Sequence, residues 1–354
     1  MGESDRGARD DLEIRAATPA DLPAVLDLLR VSMARGDDER FERLFRWKHH
    51  ENAFGPSPAW VATDAGRVVA VRYLMRWQWR RGADRLAAVR AVDTATHPEY
   101  QGRGLFTRLT RHALDELAGS VDFVFNTPND QSRPGYLKMG WQVVGRLRPA
   151  VMPCSLGGLT RAMRSRVPAE HWSAPTRAGI PAAEALADGA AIDSLLAARA
   201  QPSGRAKLSG RAKPSGRAQP SGRAERSGLE TVRDLAFLRW RYAAGPLEYR
   251  AIAAGGGSLA IVRVRTRGTA REGVLAEVLA PDRRSRSDLL QRVRKELDAD
   301  YLLTLGVGNR GIPMARQGPI LTWRSIPAQR GIDTQDPAPA LDQWHVTLGD
   351  IEVF

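Results

Sequence analysis

The stretch His97-Pro98-Glu99-Tyr100-Gln101-Gly102-Arg103-Gly104-Leu105-Phe106 decides how this chain is read. Before it, Leu86 to Thr96 is rich in Val, Ala and Thr, as a strand is. After it, Leu105, Leu109, Ala113 and Leu117 recur at helical spacing. Gly102 and Gly104 remove side chains where the backbone must turn, so successive amides and the first N–H groups of the helix can point at one phosphate group. A strand, a glycine turn and a helix N-terminus together predict a pyrophosphate cradle.

The flanking sequence supplies further elements. Leu12 to Ala17 reads as a first strand, and Thr18-Pro19-Ala20-Asp21 as an N-cap with proline at N1 and an acid at N3. Leu22, Val25, Leu26 and Leu29 form the apolar stripe of a first helix, and Phe41 to His49 a second, short helix. Trp60 to Thr63 and Val68 to Trp79 alternate as strands about a hairpin turn at Asp64-Ala65-Gly66. Val121 to Phe125 is a short buried strand ending at Asn126. Gln131 to Met139 is a helix carrying Tyr136, and Gly140-Trp141 opens a last strand through Val144.

The glycine turn resembles the acetyl-CoA signature of the GNAT (GCN5-related) N-acetyltransferases, Q/R-x-x-G-x-G/A, here Gln101-x-x-Gly104-x-Phe106. Phe106 departs from the small residue of the family. A second resemblance is Tyr136-Leu137-Lys138-Met139-Gly140-Trp141, similar to the family's Y-x-k-x-G-F. The order of elements follows the family over about residues 12 to 150. The resemblance implies an α/β (α+β) fold with a mixed, mostly antiparallel central sheet flanked by helices. It also implies acetyl-CoA as co-substrate, held by Thr94, Ala95, Thr96, Gln101, Gly102, Arg103, Gly104, Leu105 and Phe106. Asn126 and Asn129, at the end of the preceding strand, hold pantetheine or a water in that reading, or cap the loop. The family places its tyrosine near the CoA sulfur, which makes Tyr136 the expected general acid; a phenol keeps its proton at neutral pH and can still give it to a departing thiolate. Asp93, on the strand entering the turn, is the candidate base. Strand alternation puts it on a face with Ala91 and Ala95. His97 is nearer the phosphates and structural. The implied mechanism is direct aminolysis, with water or the carboxylate of the terminal Phe354 as alternatives to Asp93.

Composition bounds the remainder. The 354 residues suffice for about two domains. Cys154 stands alone, which rules out an intramolecular disulfide or a cysteine metal cluster, and the histidines show no ligand spacing; no metal is expected. No long apolar run or signal-peptide pattern is present, so a cytoplasmic protein without membrane contact is expected. The net charge of +13 is concentrated in one place. Between Arg199 and Gly228, Ser-Gly-Arg-Ala recurs at Ser203, Ser209, Ser215 and Ser221, with eight basic residues against Glu225 alone. Without apolar residues able to form a core and without aromatic interleaving, this reads as a disordered linker or inserted loop rather than a nucleic-acid surface.

The second half echoes the first. Leu238-Arg239-Trp240-Arg241-Tyr242 parallels Phe45-Arg46-Trp47-Lys48-His49. Val274 to Ala280 parallels the strand of Asp93, Leu289 to Leu297 the helix after the glycine turn, and Trp323 falls where Trp141 did. Asp282-Arg283-Arg284-Ser285-Arg286 contains no glycine, so this unit lacks the phosphate loop. The expected layout is a disordered 1–11, a catalytic domain 12–150, a connector 151–198, the linker 199–228 and a GNAT-like domain 229–354, a tandem arrangement that helps shape the acceptor pocket. The function implied is transfer of an acetyl or other acyl group to a primary amine of a small metabolite such as an amino sugar, aminoglycoside or amino acid. The alternatives are a non-catalytic CoA-binding scaffold and a protein N-acetyltransferase. A homo-oligomer is compatible with either class. Trp47, Trp60, Trp77 and Trp79 are read as acceptor-side walls or core.

Overall fold

A computed structural model describes residues 12–33, 39–155, 157–158, 160–161, 167–200, 228–306, 311–314, 318–327 and 336–351. The Ser-Gly-Arg-Ala repeats, the first eleven residues and Phe354 lie outside the described residues.

Two long hairpins organise the chain, one in each half. The first half runs β1 (Glu13–Ala16), α1 (Leu22–Met33), α2 (Glu39–His49), β2 (Ala59–Asp64), β3 (Arg67–Arg81), β4 (Asp84–Thr96), α3 (Leu105–Leu117), β5 (Phe123–Asn126), α4 (Arg133–Lys138) and β6 (Gln142–Arg146). The predicted capping box is present: Asp21 accepts from the Thr18 N–H at 2.7 Å and from its hydroxyl at 2.8 Å. At the β2–β3 turn both Ala65 (φ 46°) and Gly66 (φ 83°) are left-handed, the twist a two-residue hairpin needs.

The second half contains β7 (Ala150–Pro153), β8 (Ile180–Pro181), α5 (Ala182–Ala185), α6 (Gly189–Ala200), β9 (Leu229–Thr231) and α7 (Leu235–Arg239), which runs into a π-helical turn at Trp240–Ala244. It continues through β10 (Arg250–Ala254), β11 (Ser258–Arg267), β12 (Ala270–Leu279), α8 (Arg283–Glu296), β13 (Tyr301–Thr304), β14 (Ile312–Pro313), β15 (Ile320–Ser325), β16 (Trp344–His345) and α9 (Leu348–Ile351).

The halves form two sheets, but they are not cut at residue 150. The first sheet has the order β1-β2-β3-β4-β5-β15-β6, with β9 added beside β3 and β16 beside β9; the second has the order β14-β7-β13-β12-β11-β10-β8. The sheets therefore exchange a strand. Thr322 of β15 lies opposite Asn126 of β5, and Met152 of β7 opposite Leu302 of β13, both antiparallel. This corrects the expected layout in three respects. Residues 150–153 and 180–181, placed in or beside a connector, are strands of the second sheet. Residues 229–231, 320–325 and 344–345 complete the first. Trp323 does not repeat Trp141 within a second unit; it packs beside Phe123 of the first sheet.

The exchange is possible because one apolar core spans both sheets. Trp47, Trp77, Trp79 and Phe125 share a cluster with Phe237, Trp240, Tyr242 and Trp344. Three of the four tryptophans read as pocket walls are thus the seam between the halves, and Trp60 is buried in a separate cluster under α3. At the centre of the seam, the Trp47 indole donates to the Trp240 carbonyl (2.6 Å) and the Trp240 indole to the Trp47 carbonyl (2.9 Å), with the rings stacked 5.2 Å apart. The echoed Arg-Trp segments meet as a reciprocal pair. Trp240→Ala removes a buried ring and the indole N–H that it donates to the Trp47 carbonyl, and is expected to cost about 3–5 kcal/mol in denaturant unfolding. A mutant within 1 kcal/mol of wild type, on the order of an ordinary surface change, would contradict this role of the seam.

Candidate active site

The turn that opens α3 has the conformation its glycines require. Gly102 (φ 76°) and Gly104 (φ 74°) are both left-handed. A Cβ on either would meet nothing within 4 Å, so the requirement is conformational rather than steric and the space above the turn is free. Gly104 is the N-cap and provides no side-chain cap. Among the described residues the N–H groups of Gly102 to Phe106 have no acceptor. They border an open cavity of about 490 Å³ lined by Thr96, Tyr100, Gln101, Gly102, Gly104, Leu105 and Phe106. Arg103 lies over the Tyr100 ring with its charge at the turn, and the Gln101 amide reaches back to the Thr96 carbonyl at 3.4 Å. A concentration of unsatisfied donors, positive charge and free space fits a pyrophosphate.

Behind the turn the central strands part. β4 and β5 are paired only at Ala88–Phe123, Val89–Val124 and Arg90–Phe125. Beyond Arg90, the edge of β4 that faces β5 has no strand partner, which leaves Thr94, Ala95 and Thr96 bordering the opening. The β3–β4 register slips here too: Tyr73 faces Val92 and Arg72 faces Thr94, so Asp93 is the extra residue of a β-bulge. Its φ of 38° is one of two left-handed values among the described non-glycine residues. The bulge overturns the expected alternation. Ala91 packs under α3, whereas Ala95 packs under α1 and α2.

The Asp93 side chain is buried, and one of its oxygens carries two contacts. Its Oδ2 accepts from Lys48 Nζ (2.5 Å) and from His49 Nε2 (2.7 Å), both at the end of α2. A carboxylate can only accept, so the His49 proton is on Nε2, and Nδ1 accepts from the Ser57 hydroxyl at 2.9 Å. Burial raises the Asp93 carboxyl, but the Lys48 charge and the His49 hydrogen bond outweigh it and hold the group well below the usual carboxylate range. Such a carboxylate has little affinity for a proton. Its two contacts to the end of α2 tie the bulge to that helix.

Tyr136 stands on the other side of the opening. It is 5% exposed, and its oxygen accepts from Arg72 Nη1 at 2.8 Å. The same nitrogen donates to Thr94 Oγ1 at 2.6 Å. Phe106, the departure from the family pattern, turns inward, its ring edge-on to Tyr136 at 5.2 Å. It does not crowd the phosphate side. Asn126 is tied to the exchanged strand, its Oδ1 accepting from Thr322 Oγ1 at 2.5 Å. Asn129 caps the segment before α4, accepting from the Ser132 N–H (2.8 Å) and hydroxyl (2.9 Å). The His97 N–H is held by the Val69 carbonyl (2.8 Å) and its ring by Arg67 (2.9 Å). Arg72, Lys48, His49 and Ser57 were not singled out from sequence. The one available signal was a lone arginine inside the apolar run Val68 to Met75.

The second half repeats the frame and narrows it. β12 and β13 pair only from Glu272–Tyr301 to Val274–Leu303 and then part, and β12 has its own bulge at Ala276. There the chain's own C-terminal segment enters: Cβ atoms on Gly306 and Gly349 would strike the Val346 carbonyl and the Ala276 carbonyl at 2.7 and 2.9 Å. Asp350 anchors the segment through Arg233 at 2.7 Å. At the head of α8, Asp282 occupies the helix N-terminus with its own carboxylate, accepting from the Ser285 N–H at 2.8 Å. The anion site that α3 leaves open is self-occupied in α8.

Residues 13–144 match the sequence profile of the acetyltransferase (GNAT) domain, and this part of the chain is a domain of the GNAT acetyltransferase family. Across the whole chain the fold is similar to three solved structures. One is a probable N-acyltransferase from Enterococcus faecalis (TM-score 0.57, 13% identity, covering 90% of this chain and 74% of that one). The others are GCN5-related N-acetyltransferases from Kribbella flavida (0.57, 18%, 93% and 76%) and Anabaena variabilis (0.57, 13%, 89% and 73%). At these identities the likeness establishes the fold. No curated protein matches the chain by sequence. No described helix is long and apolar enough to cross a membrane.

The His49 environment has a measurable signature. Burial pushes its imidazole down from 6.5 to about 4, against the pull of Asp93. Between those values the unfolded chain binds the proton that the folded chain refuses, so stability is full above pH 6.5 and falls as pH drops toward 4. His49→Gln is expected to flatten this part of the stability profile by about 1–3 kcal/mol in chemical denaturation at matched pH values. A profile of unchanged slope would show that His49 is not held neutral.

Proposed function

We propose that the protein is an acyl-CoA-dependent N-acyltransferase that moves an acetyl group to a primary amine of a small molecule by direct aminolysis. The observation that carries the reading is the uncapped glycine turn of α3, with its free amides at the mouth of the gap between β4 and β5. Acetyl-CoA, when bound, supplies an activated thioester. The amides of Gly102 to Phe106, with Arg103, would hold its pyrophosphate, and the unpaired edge of β4 at Thr94 to Thr96 would hold its arm.

Tyr136 serves as the general acid. Arginine can only donate, so the Tyr136 oxygen accepts from Arg72 and its own hydroxyl proton is left for another acceptor. Among the described residues it has none, and the departing thiolate is the acceptor we assign. Asp93 keeps the bulge in place, and the amine proton leaves to water.

Calorimetry tests the cradle. Gly104→Glu is expected to abolish binding of acetyl-CoA, through left-handed strain and charge repulsion, in a protein that remains folded. Asp282→Gly, in the half whose cleft is narrowed by the chain's own segment, is expected to leave one site per chain. Unchanged affinity in the first variant would sink the assignment. Tyr136→Phe is expected to lower kcat by about 10²- to 10⁴-fold with a smaller change in the acyl-CoA KM, in a thiol-release assay across an amine panel. Retention of full turnover would remove Tyr136 from the chemistry.

A further inference from the structure

Arg72 is one of four fully buried arginines among the described residues, with Arg90, Arg241 and Arg263. Its side chain is among the largest that are fully buried, with the residue 1% exposed. Lys48 faces Asp93, and Arg233 faces Glu277 and Asp350. Arg72 has no carboxylate partner among the described residues. Nη1 is spent on Thr94 and Tyr136, while Nε and Nη2 are buried with no acceptor. Its charge lies instead against two rings, 5.3 Å from the centre of Tyr136 and 5.6 Å from that of Phe106. Phe106 is the residue that departs from the family pattern, so the departure and the unpaired charge are parts of one cluster.

An unneutralised guanidinium in a dry site is costly to maintain, and its field is only weakly screened. The one group it addresses through a hydrogen bond and that can acquire negative charge in the proposed reaction is the Tyr136 oxygen. We infer that Arg72 is a positioning residue for the general acid. It fixes the phenol as an acceptor so that the hydroxyl proton faces the reacting sulfur. It also stabilises the negative charge left on the oxygen as that proton moves to the thiolate. The Phe106 ring shields the charge from solvent and keeps its effect on Tyr136 strong. The step balances: the C–S bond breaks, sulfur takes the electron pair and the Tyr136 proton, and the phenolate beside Arg72 is later reprotonated from solvent.

This inference rests on the proposed acyl-CoA reaction, and the test separates the two. CoA binding is measured by calorimetry, and the fraction of bound CoA present as thiolate by its ultraviolet band at a fixed pH. Arg72→Met is expected to bind CoA within about threefold of wild type, to lose about tenfold in thiolate fraction and to lose about 10²-fold in kcat. If Arg72 acts through Tyr136, the double variant with Tyr136→Phe loses no more than the worse single variant. Additive losses would overturn the inference, as would a wild-type thiolate fraction in Arg72→Met. Selective loss of acyl donors with a terminal carboxylate, with acetyl transfer intact, would do the same, because it would make Arg72 a donor-selecting group. Should Arg72→Met not fold, Arg72→Lys keeps a buried cation. It is expected to retain most of the thiolate fraction, and a folded, CoA-binding lysine variant at the Tyr136→Phe level would overturn the inference. Failure of the wild-type protein to bind CoA at all would instead refute the proposed function.

Discussion

Trp47 and Trp240 each give an indole N–H to the other's main-chain carbonyl, and this exchange sets where everything else can stand. A reciprocal contact is self-complementary in the sense familiar from two-fold dimers, here between two segments of one chain. It fixes the end of α2 and the π turn after α7 back to back. The residues that follow each tryptophan then point into opposite halves: Lys48 and His49 toward the bulge of β4, Tyr242 toward Glu277 beside the bulge of β12. The same geometry thus delivers one polar cluster to each parting of the strands.

From that shared frame the halves diverge by small chemical differences. Gly104 leaves the head of α3 bare, and Asp282 caps the head of α8 with its own anion. The gap beside β4 is bordered by an unpaired strand edge, whereas the gap beside β12 is narrowed by the segment from Trp344 to Gly349, which leaves a cavity of about 330 Å³. A single ligand site in a two-fold scaffold needs no loss of fold in the second half. It needs an internal substitute for each part of the ligand, a carboxylate where the phosphates would go and a peptide where the arm would go.

Much of the first half was legible in sequence because its signals are local. The strand from Val68 to Trp79, the Thr18–Asp21 capping box and the two glycines before Leu105 each rest on signals within a few residues, and each is where it was expected, although Val68 to Met75 is buried on both faces rather than alternating. The echo around Trp240 was legible as a pattern, but its meaning as a contact was not, since pairing across 193 residues leaves no trace in spacing. Two features were hidden for different reasons. β15 and β7 are short apolar strands that would suit either sheet, so their exchange is decided by the assembled core. The bulge at Asp93 arises from a one-residue slip against β3, and strand alternation alone put that side chain on the wrong face. Arg72 looked like one more basic residue in a basic chain until its partners were known.

The exchanged strand also bears on how the protein comes into being. β15 lies between β5 and β6, and its Thr322 holds Asn126 at the far wall of the gap that β4 opens. A chain emerging from the ribosome has the glycine turn, Tyr136 and Arg72 in hand long before residue 320 appears. Until then β6 lacks the strand that joins it to β5. The candidate site consequently draws its far wall from a strand near residue 320, outside the stretch whose sequence announces it.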